Sequence, residues 1–207
     1  MSLQKKLKEW FKENGRDFPW REDIVPYRLM IAEFMLQRTK AEQVIPVFAE
    51  FIRRYPELSS LSRANEHEIM QILSPLGLRW RSSHFISAAQ FITKECDSAF
   101  PDNASDLMKI PGIGEYIAGA ILVVCFRIPY PVIDSNIGRF INRFFGLNLK
   151  GEVRRKRIVI EKAEELFTCQ EPGILLFSIL DFTSIVCRSR TPKCILCGLR
   201  DTCKYER

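Results

Sequence analysis

The sequence predicts an all-α protein. Apolar side chains recur at about 3.6-residue spacing along most of the chain, and no stretch shows the alternation of apolar and polar residues that is typical of a half-buried strand. Proline and glycine stand at the ends of the apolar stripes, where helices begin and end. The 207 residues contain no internal repeat, and this length allows one large hydrophobic core or two smaller ones.

The first half of the chain is predicted to form five helices. The first covers residues 2–14, and its apolar stripe consists of Leu3, Leu7, Trp10 and Phe11. The other four are expected at 26–38, 40–55, 65–73 and 79–94. Pro26 suits the first turn of a helix, and Pro56 ends the helix before it.

A turn, Pro111-Gly-Ile-Gly114, stands between a short helix after Pro101 and a longer one predicted at 115–126. Pro111 cannot continue a helix, and Gly112 and Gly114 permit backbone angles and close approaches that a Cβ would block. The turn therefore presents its amides outward, and free amides at a helix N-terminus bind phosphate oxygens. An ordinary helix–helix turn explains these residues equally well.

Asp134 begins the next predicted helix, whose apolar stripe consists of Ile137, Phe140, Ile141 and Phe144. An aspartate at an N-cap accepts amide hydrogen bonds and suits the helix dipole, so capping alone explains its presence. Two further helices are expected at 153–168 and 172–186.

A second carboxylate, Glu33, lies inside the predicted helix 26–38. Its neighbours one turn away are Leu29, Met30 and Leu36, so it leaves the helix on a largely apolar face. A carboxylate is costly there unless it is paired or used in chemistry. A glutamate that reaches solvent or pairs with an arginine is the simpler interpretation from the residues alone.

Four of the seven cysteines lie in the last 21 residues, with the spacing C-x6-C-x2-C-x5-C. Four thiolates this close together hold zinc or an iron–sulfur cluster. Spacing does not report the metal, and by chemistry alone four-thiolate zinc is the safer expectation. The predicted metal ligands are Cys187, Cys194, Cys197 and Cys203.

The composition is that of an ordinary globular protein, with 46% hydrophobic and 27% charged residues. The formal charge of +6 favours a polyanionic partner without proving one. No apolar run approaches the roughly 20 residues that span a bilayer, and residues 1–6 lack the apolar segment of a signal peptide. We therefore expect a cytoplasmic protein, associated with the nucleoid in a prokaryote, and no membrane partner.

The cysteine spacing, behind an all-α body that contains Ile110-Pro-Gly-Ile-Gly114 and Asp134, closely resembles the helix-hairpin-helix DNA glycosylases related to endonuclease III. The resemblance covers nearly the whole chain. It implies a helical barrel domain over 22–132 and an iron–sulfur domain formed by 1–21 and 133–207, with Asp134 facing the cleft between them. It also implies a [4Fe–4S] cluster on the four cysteines, DNA-backbone contacts at Gly112 and Gly114, and a catalytic Asp134.

Two positions indicate the branch of this family. Bifunctional members carry a lysine two residues beyond the second hairpin glycine, where this chain has Tyr116. A phenol cannot form the Schiff base that strand cleavage requires, so the chain resembles a monofunctional enzyme. Glu33 is similar to the glutamate of the adenine and mismatch thymine glycosylases, and Tyr116 resembles the thymine branch, since adenine glycosylases typically carry serine there. Glu115 departs from the pattern, because members often have a basic residue at that position.

The resemblance thus implies a monomeric enzyme that acts on double-stranded DNA and removes a mismatched base, thymine or uracil opposite guanine. An adenine glycosylase acting opposite guanine or 8-oxoguanine is the main alternative. The sequence ends four residues after Cys203, where typical adenine glycosylases continue into a further domain, and this favours the thymine branch. A bifunctional lyase is disfavoured by Tyr116, and a catalytically silent DNA-binding relative would not need both Glu33 and Asp134.

A base inside a duplex is unreachable, so such an enzyme must flip the nucleotide out. We expect Gln37 and Arg38 to fill the vacated stack and Leu78 to wedge the opposite strand. Leu78 and Trp80 stand among arginines, which suits nucleic-acid contact, although core packing is the commoner fate of both. The cluster loop carries further candidates for phosphate contact, whose alternative is a solvated charged face: Arg188, Arg190, Lys193, Arg200 and Lys204.

Each candidate catalytic residue has an expected role. An ionised Asp134 stabilises the oxocarbenium-like sugar as the base departs. Glu33 positions or deprotonates the attacking water, or assists the leaving base, and its apolar surroundings should raise its pKa toward the working range. Tyr116 or backbone amides donate hydrogen bonds to a departing pyrimidine anion.

Overall fold

The computed structural model describes residues 2–205. Within this range the chain forms helices and no β-strand, which confirms the all-α class. Residues 1, 206 and 207 of the expected terminal domain lie outside this range. The helices of the first half are α1 (Leu3–Asn14), α2 (Pro19–Glu22), α3 (Pro26–Leu36), α4 (Ala41–Arg54), α5 (Leu58–Leu61), α6 (Glu66–Leu73) and α7 (Ser82–Glu95). Those of the second half are α8 (Ala104–Leu107), α9 (Glu115–Ile121), α10 (Ser135–Phe144), α11 (Arg157–Phe167) and α12 (Pro172–Ile185).

Short turns of other helix types join these elements. They are the 3-10 turns Ser74–Leu76, Arg79–Arg81, Val153–Arg155 and Cys194–Leu196, and the π turn Leu122–Phe126. The predicted helix 115–126 therefore changes type at residue 122, and the predicted helix 79–94 begins as a 3-10 turn. None of the described helices is both long enough and apolar enough to span a lipid bilayer.

The described chain divides into two compact units. One consists of residues 17–121, and the other combines residues 2–16 with residues 122–205. The resemblance implied divisions after residues 21 and 132.

The unit of residues 17–121 is built on α3, which packs against α4 and α9 and is buried along almost its whole length. Aromatic rings fill the space beside it. The Phe85 ring lies 5.2 Å from the ring of Phe34 and 5.3 Å from that of Phe51. Tyr27 at the start of α3 donates a 2.6 Å hydrogen bond to the carbonyl of Tyr55 after α4. The position of α3 is therefore fixed at its start by a hydrogen bond and along its length by packing.

The other unit is built on α12, which packs against α1, α10 and the π turn. Its Phe182 ring meets the ring of Trp10 at 5.1 Å and that of Phe140 at 5.9 Å, both edge to face. Gly173 is required for the approach to the π turn, because a Cβ there would lie 2.8 Å from the Val123 carbonyl oxygen. This packing brings the start of α10 and the cysteine segment onto one scaffold.

Candidate active site and cysteine cluster

The hairpin Ile110-Pro-Gly-Ile-Gly114 joins α8 to α9 as the sequence predicted. Gly112 has a φ of +84°, and a Cβ there would lie 3.0 Å from the Phe34 ring, so the fold itself requires this glycine. Gly114 differs, because a Cβ at that position would have no neighbour within 4 Å and its φ is not positive. Since the fold does not require Gly114, its missing side chain leaves the exposed backbone open to close approach by a partner.

Glu33 lies in the middle of α3 and is only 7% exposed. Within residues 2–205 it is one of two buried carboxylates, the other being Asp181. Asp181 has a structural role, since its oxygens accept hydrogen bonds from the Arg16 amide at 2.8 Å and from the Arg16 guanidinium at 2.8 and 3.0 Å. Glu33 stands among apolar residues of α3, including Leu29 and Met30, as its sequence neighbours indicated.

The other predicted site residues of the 17–121 unit lie at helix ends and turns. Tyr116 is half-buried on the first turn of α9, and this helix packs against α3, the helix that carries Glu33. Gln37 and Arg38 follow α3, and Arg38 is exposed with a φ of +65°. Leu78 is only 5% exposed, so the structure places this candidate wedge within the packed interior.

Asp134 is the N-cap of α10 and is half-buried. Its Oδ1 accepts the amides of Asn136 at 2.9 Å and Ile137 at 2.7 Å, and its Oδ2 accepts the side-chain Nδ2 of Asn136 at 2.8 Å. The capping interpretation is therefore correct. It does not exclude chemistry, because these three bonds also fix the direction in which the carboxylate points.

Arg139 continues this arrangement along α10. It donates to Asn136 Oδ1 at 3.0 Å and to the carbonyl of Cys187 at 3.3 Å. Burial lowers the pKa of its guanidinium below the usual range, while the neighbouring Cys187 and Asp134 act in the opposite direction. Hydrogen bonds thus connect Asp134 to the first cysteine of the cluster segment through Asn136 and Arg139.

The four cysteines line one small cavity of about 30 Å³, and all four are free thiols. The walls between them are largely apolar and include the rings of Phe140, Phe144 and Phe182. Among residues 2–205, no three histidine, cysteine or acidic side chains converge closely enough to hold a single metal ion. Four thiols around one apolar cavity nevertheless fit an iron–sulfur cluster, because its several iron atoms are bound by separate thiolates and not all at one point.

Arg143, one turn beyond Arg139, holds the cysteine segment from the side. Its guanidinium donates to the carbonyls of Arg188 and Ser189 at 2.7 Å each and reaches Cys187 Sγ at 3.7 Å. Burial raises the pKa of the Cys187 thiol, and the Arg143 contact opposes that rise. The basic candidates that follow, Arg188, Arg190 and Lys193, lie on the loop that Arg143 holds, and all three are exposed.

The structure thus distributes the predicted residues over two scaffolds. Glu33, Tyr116, Gln37, Arg38, Leu78 and the hairpin glycines belong to the unit of residues 17–121, and Asp134, the basic loop and the four cysteines belong to the other. Sequence reasoning missed Asn136, Arg139 and Arg143. Their signal was the polar face of α10, opposite the apolar stripe that was used to identify the helix.

Comparison with known proteins shows similarity along almost the whole chain. The family model described as "HhH-GPD superfamily base excision DNA repair protein" matches residues 31–168. A thymine-DNA glycosylase of Aeropyrum pernix is 31% identical over 209 residues, covering 99% of this chain and 94% of that protein. An adenine DNA glycosylase of Buchnera aphidicola is 34% identical over 198 residues, and the chain spans 56% of its length.

A solved structure, that of a thermostable thymine-DNA glycosylase, superposes with a TM-score of 0.90 at 27% identity and covers 98% of this chain and 94% of that one. The segment matched by the family model includes Glu33, the hairpin, Tyr116 and Asp134, and ends before the four clustered cysteines, of which Cys187 is the first.

Proposed function

The chain belongs to the HhH-GPD superfamily of base excision DNA repair proteins, and we propose that it is a monofunctional DNA glycosylase. The reaction is hydrolysis of the N-glycosidic bond of a flipped, mismatched base, either thymine or uracil opposite guanine. The observation that carries the monofunctional assignment is Tyr116, two residues beyond Gly114 on the first turn of α9. A phenol there cannot form the imine with the sugar on which strand cleavage depends.

Asp134 is the proposed centre of the chemistry. Positive charge builds on the sugar as the base departs, and an ionised carboxylate stabilises that charge. Three hydrogen bonds from Asn136 and Ile137 hold both of its oxygens. A carboxylate held in this way needs little reorganisation when the charge develops, which is the main source of such stabilisation.

Glu33 and Tyr116 have supporting roles in the proposal. Glu33 positions or deprotonates the water that completes hydrolysis, and its burial in α3 supports a chemical rather than a solvating role. Thymine and uracil leave as anions, which hydrogen-bond donors stabilise. The hydroxyl of Tyr116 and the hairpin amides are the proposed donors.

The substrate is double-stranded DNA, which a monomer binds at several places. Flipping the nucleotide costs a few kcal/mol and is least costly at a mismatch, so it supplies part of the selectivity. The exposed backbone at Gly112 and Gly114 and the basic loop residues Arg188, Arg190 and Lys193 are proposed to contact phosphates. Gln37 and Arg38 are proposed to fill the vacated stack. A DNA substrate also places the enzyme with the genome, in the nucleoid of a prokaryote.

Cys187, Cys194, Cys197 and Cys203 are proposed to hold a [4Fe–4S] cluster, which would supply four covalent cross-links to the loop. The shared cavity and its apolar walls support this ligand set. The role of these residues in the reaction is structural, because the loop that they hold carries the basic side chains.

A second candidate function is removal of adenine opposite guanine or 8-oxoguanine. Glu33 favours it, because a buried carboxylic acid is a suitable proton donor to the adenine ring.

The test is a panel of G·T, G·U, A·G and A·8-oxoguanine duplexes, scored for free base and then for alkali-labile sites. We expect thymine and uracil release, with the abasic strand intact until alkali is added. Adenine release without thymine release would assign the second function. Failure to release any base from the panel would make the chain a silent DNA-binding relative, and trapping of wild type on DNA by borohydride would contradict the monofunctional assignment.

A further inference from the structure

Trp80 projects from the 3-10 turn Arg79–Arg81, and its side chain is 66% exposed. The neighbouring Leu78 is 5% exposed, so the packing of this turn buries the leucine and leaves the indole outside. An indole that stays exposed loses the favourable free energy of burying its large apolar surface. Tryptophan is enriched at interfaces, where a partner covers this surface. The turn therefore presents an aromatic surface.

The exposed ring is held by its neighbours. The guanidinium carbon of Arg81 lies 4.4 Å from the centre of the indole, over one face of it. The ring of His84 approaches at 6.5 Å, nearly perpendicular to the indole. Arg81 also donates to the carbonyl of Phe34 in α3 at 3.5 Å, so it connects the indole to the core of its unit. One face is thus braced and the rest remains accessible.

The charges around Trp80 are positive. Arg38 and Arg79 are exposed, and burial together with the nearby Arg38 lowers the pKa of Arg81. Among residues 2–205, none of these three guanidinium groups is in an ion pair. Glu66, next to this turn, accepts a 2.8 Å hydrogen bond from Ser82. Like charges held together without an ion-paired carboxylate indicate that the partner is anionic.

The same patch borders the hairpin. A Cβ added at Gly112 would lie 3.4 Å from the Cβ of His84, whose ring contacts Trp80. The indole is therefore on the part of the 17–121 unit that carries the proposed backbone contact with DNA. A flat aromatic face among arginines beside a phosphate-binding turn matches one chemistry above others, that of a nucleic-acid base.

We propose that Trp80 is a base-stacking residue of the DNA interface and receives a base that loses its stacking partner when the target nucleotide is flipped. This inference rests on the proposed function, since it takes DNA with a flipped nucleotide as the substrate. It assigns stacking to the exposed Trp80, whereas the sequence placed the wedge at Leu78. Because the indole is already braced by Arg81 and His84, little side-chain freedom is lost on binding.

The experiment measures binding of the full chain to a duplex that carries a tetrahydrofuran abasic analogue opposite guanine, by titration of tryptophan fluorescence and by anisotropy. Trp80→Ala should weaken binding about tenfold, and Trp80→Phe should stay within about twofold because it keeps an aromatic face. The salt dependence should not change in Trp80→Ala, whereas Arg79→Gln should reduce the slope by about one. Ile24→Ala, which truncates another exposed apolar side chain of the same unit, is the control for non-specific loss.

Wild-type fluorescence should be quenched by the duplex, and the quench should disappear in Trp80→Phe, which retains Trp10 and Trp20. A quench that persists in Trp80→Phe, or wild-type affinity in Trp80→Ala, overturns the proposal. So does a changed salt slope in Trp80→Ala, because it would mean that the variant displaces an arginine. None of these measurements requires turnover. Failure of the proposed function would be seen in a different measurement, the base-release panel, in which wild type would bind mismatched duplexes and release no base.

Discussion

Asn136 holds the carboxylate of Asp134 at both oxygens, with its main-chain amide 2.9 Å from Oδ1 and its side-chain Nδ2 2.8 Å from Oδ2. The side-chain amide is itself oriented, because its Oδ1 accepts a hydrogen bond from Arg139 at 3.0 Å. Because Arg139 donates to the oxygen of this side-chain amide, the nitrogen, Nδ2, is the atom that faces Asp134. Asn136 is therefore a positioning residue in this account.

Asn136→Ala should slow base release about tenfold or more in single turnover while DNA affinity stays near wild type, because a hydrogen bond to a charged group is worth about 1.5–3 kcal/mol. The two backbone cap bonds to Asp134 remain in this variant. Asn142→Ala is the matched control on the same helix, since the Asn142 side chain donates to the Leu149 carbonyl and accepts from the Leu149 amide, both at 3.0 Å. Equal losses of rate in both variants would mean that Asn136 supports only the fold of α10.

Asp181 and Arg16 form a buried ion pair, in which the Asp181 side chain is fully buried and that of Arg16 is 30% exposed. Asp181→Ala should lower the free energy of unfolding by about 3 kcal/mol, at the low end of the range for such pairs because Arg16 retains some solvent. Urea denaturation measures this loss.

The control is Glu171→Gln, which removes the more exposed Lys8–Glu171 pair between the same parts of the chain. We expect little measurable change in stability there. If Glu171→Gln lowered the free energy of unfolding as much as Asp181→Ala does, burial would not explain the contribution of the Arg16–Asp181 pair.

The cysteine cavity predicts about four irons and four sulfides per chain in protein prepared without oxygen. Cys197→Ser should lose the iron and weaken DNA binding, because the basic loop loses its cross-links. Cys96→Ser replaces a cysteine of the unit of residues 17–121, and this variant should keep the iron and bind DNA like wild type. Stoichiometric zinc in place of iron would refute the cluster assignment.

Tyr116→Lys tests whether residue 116 faces the sugar. An amine with a depressed pKa is nucleophilic, so the variant should give a borohydride-trapped DNA adduct and some strand nicking. Tyr116→Phe is the control, since it keeps the ring and adds no amine. A Lys variant that releases base normally and never traps would remove the main support for the thymine branch.

The helices could be predicted from the sequence because their apolar stripes and terminal residues are local signals. Predicted helix 2–14 is α1 at Leu3–Asn14, and predicted helix 172–186 is α12 at Pro172–Ile185. The short α2 and α5 were missed, because four residues carry no periodic pattern. Their positions depend on tertiary packing, as with Trp20, whose ring stacks on Phe18.

The site was only partly predictable for a related reason. The sequence identified the carboxylates, the hairpin and the cysteines by type and spacing. The roles of Arg139 and Arg143 depend on carbonyls of residues more than 40 positions away, at Cys187 and Ser189, and no sequence pattern reports such contacts. The burial of Leu78 beside the exposed Trp80 likewise depends on how one turn packs on the core.

The most direct test of the account compares wild type with Asp134→Asn for thymine release from a G·T duplex in single turnover. Asparagine caps a helix as well as aspartate does, so the variant should fold and bind DNA like wild type while it loses the negative charge and the hydrogen bond that Oδ2 accepts from Asn136 Nδ2. We predict that its rate of base release falls by at least about a hundredfold, with an intact abasic strand in wild type. Near-wild-type release by Asp134→Asn, in protein that binds the duplex normally, would reduce Asp134 to a helix cap and contradict the proposed mechanism.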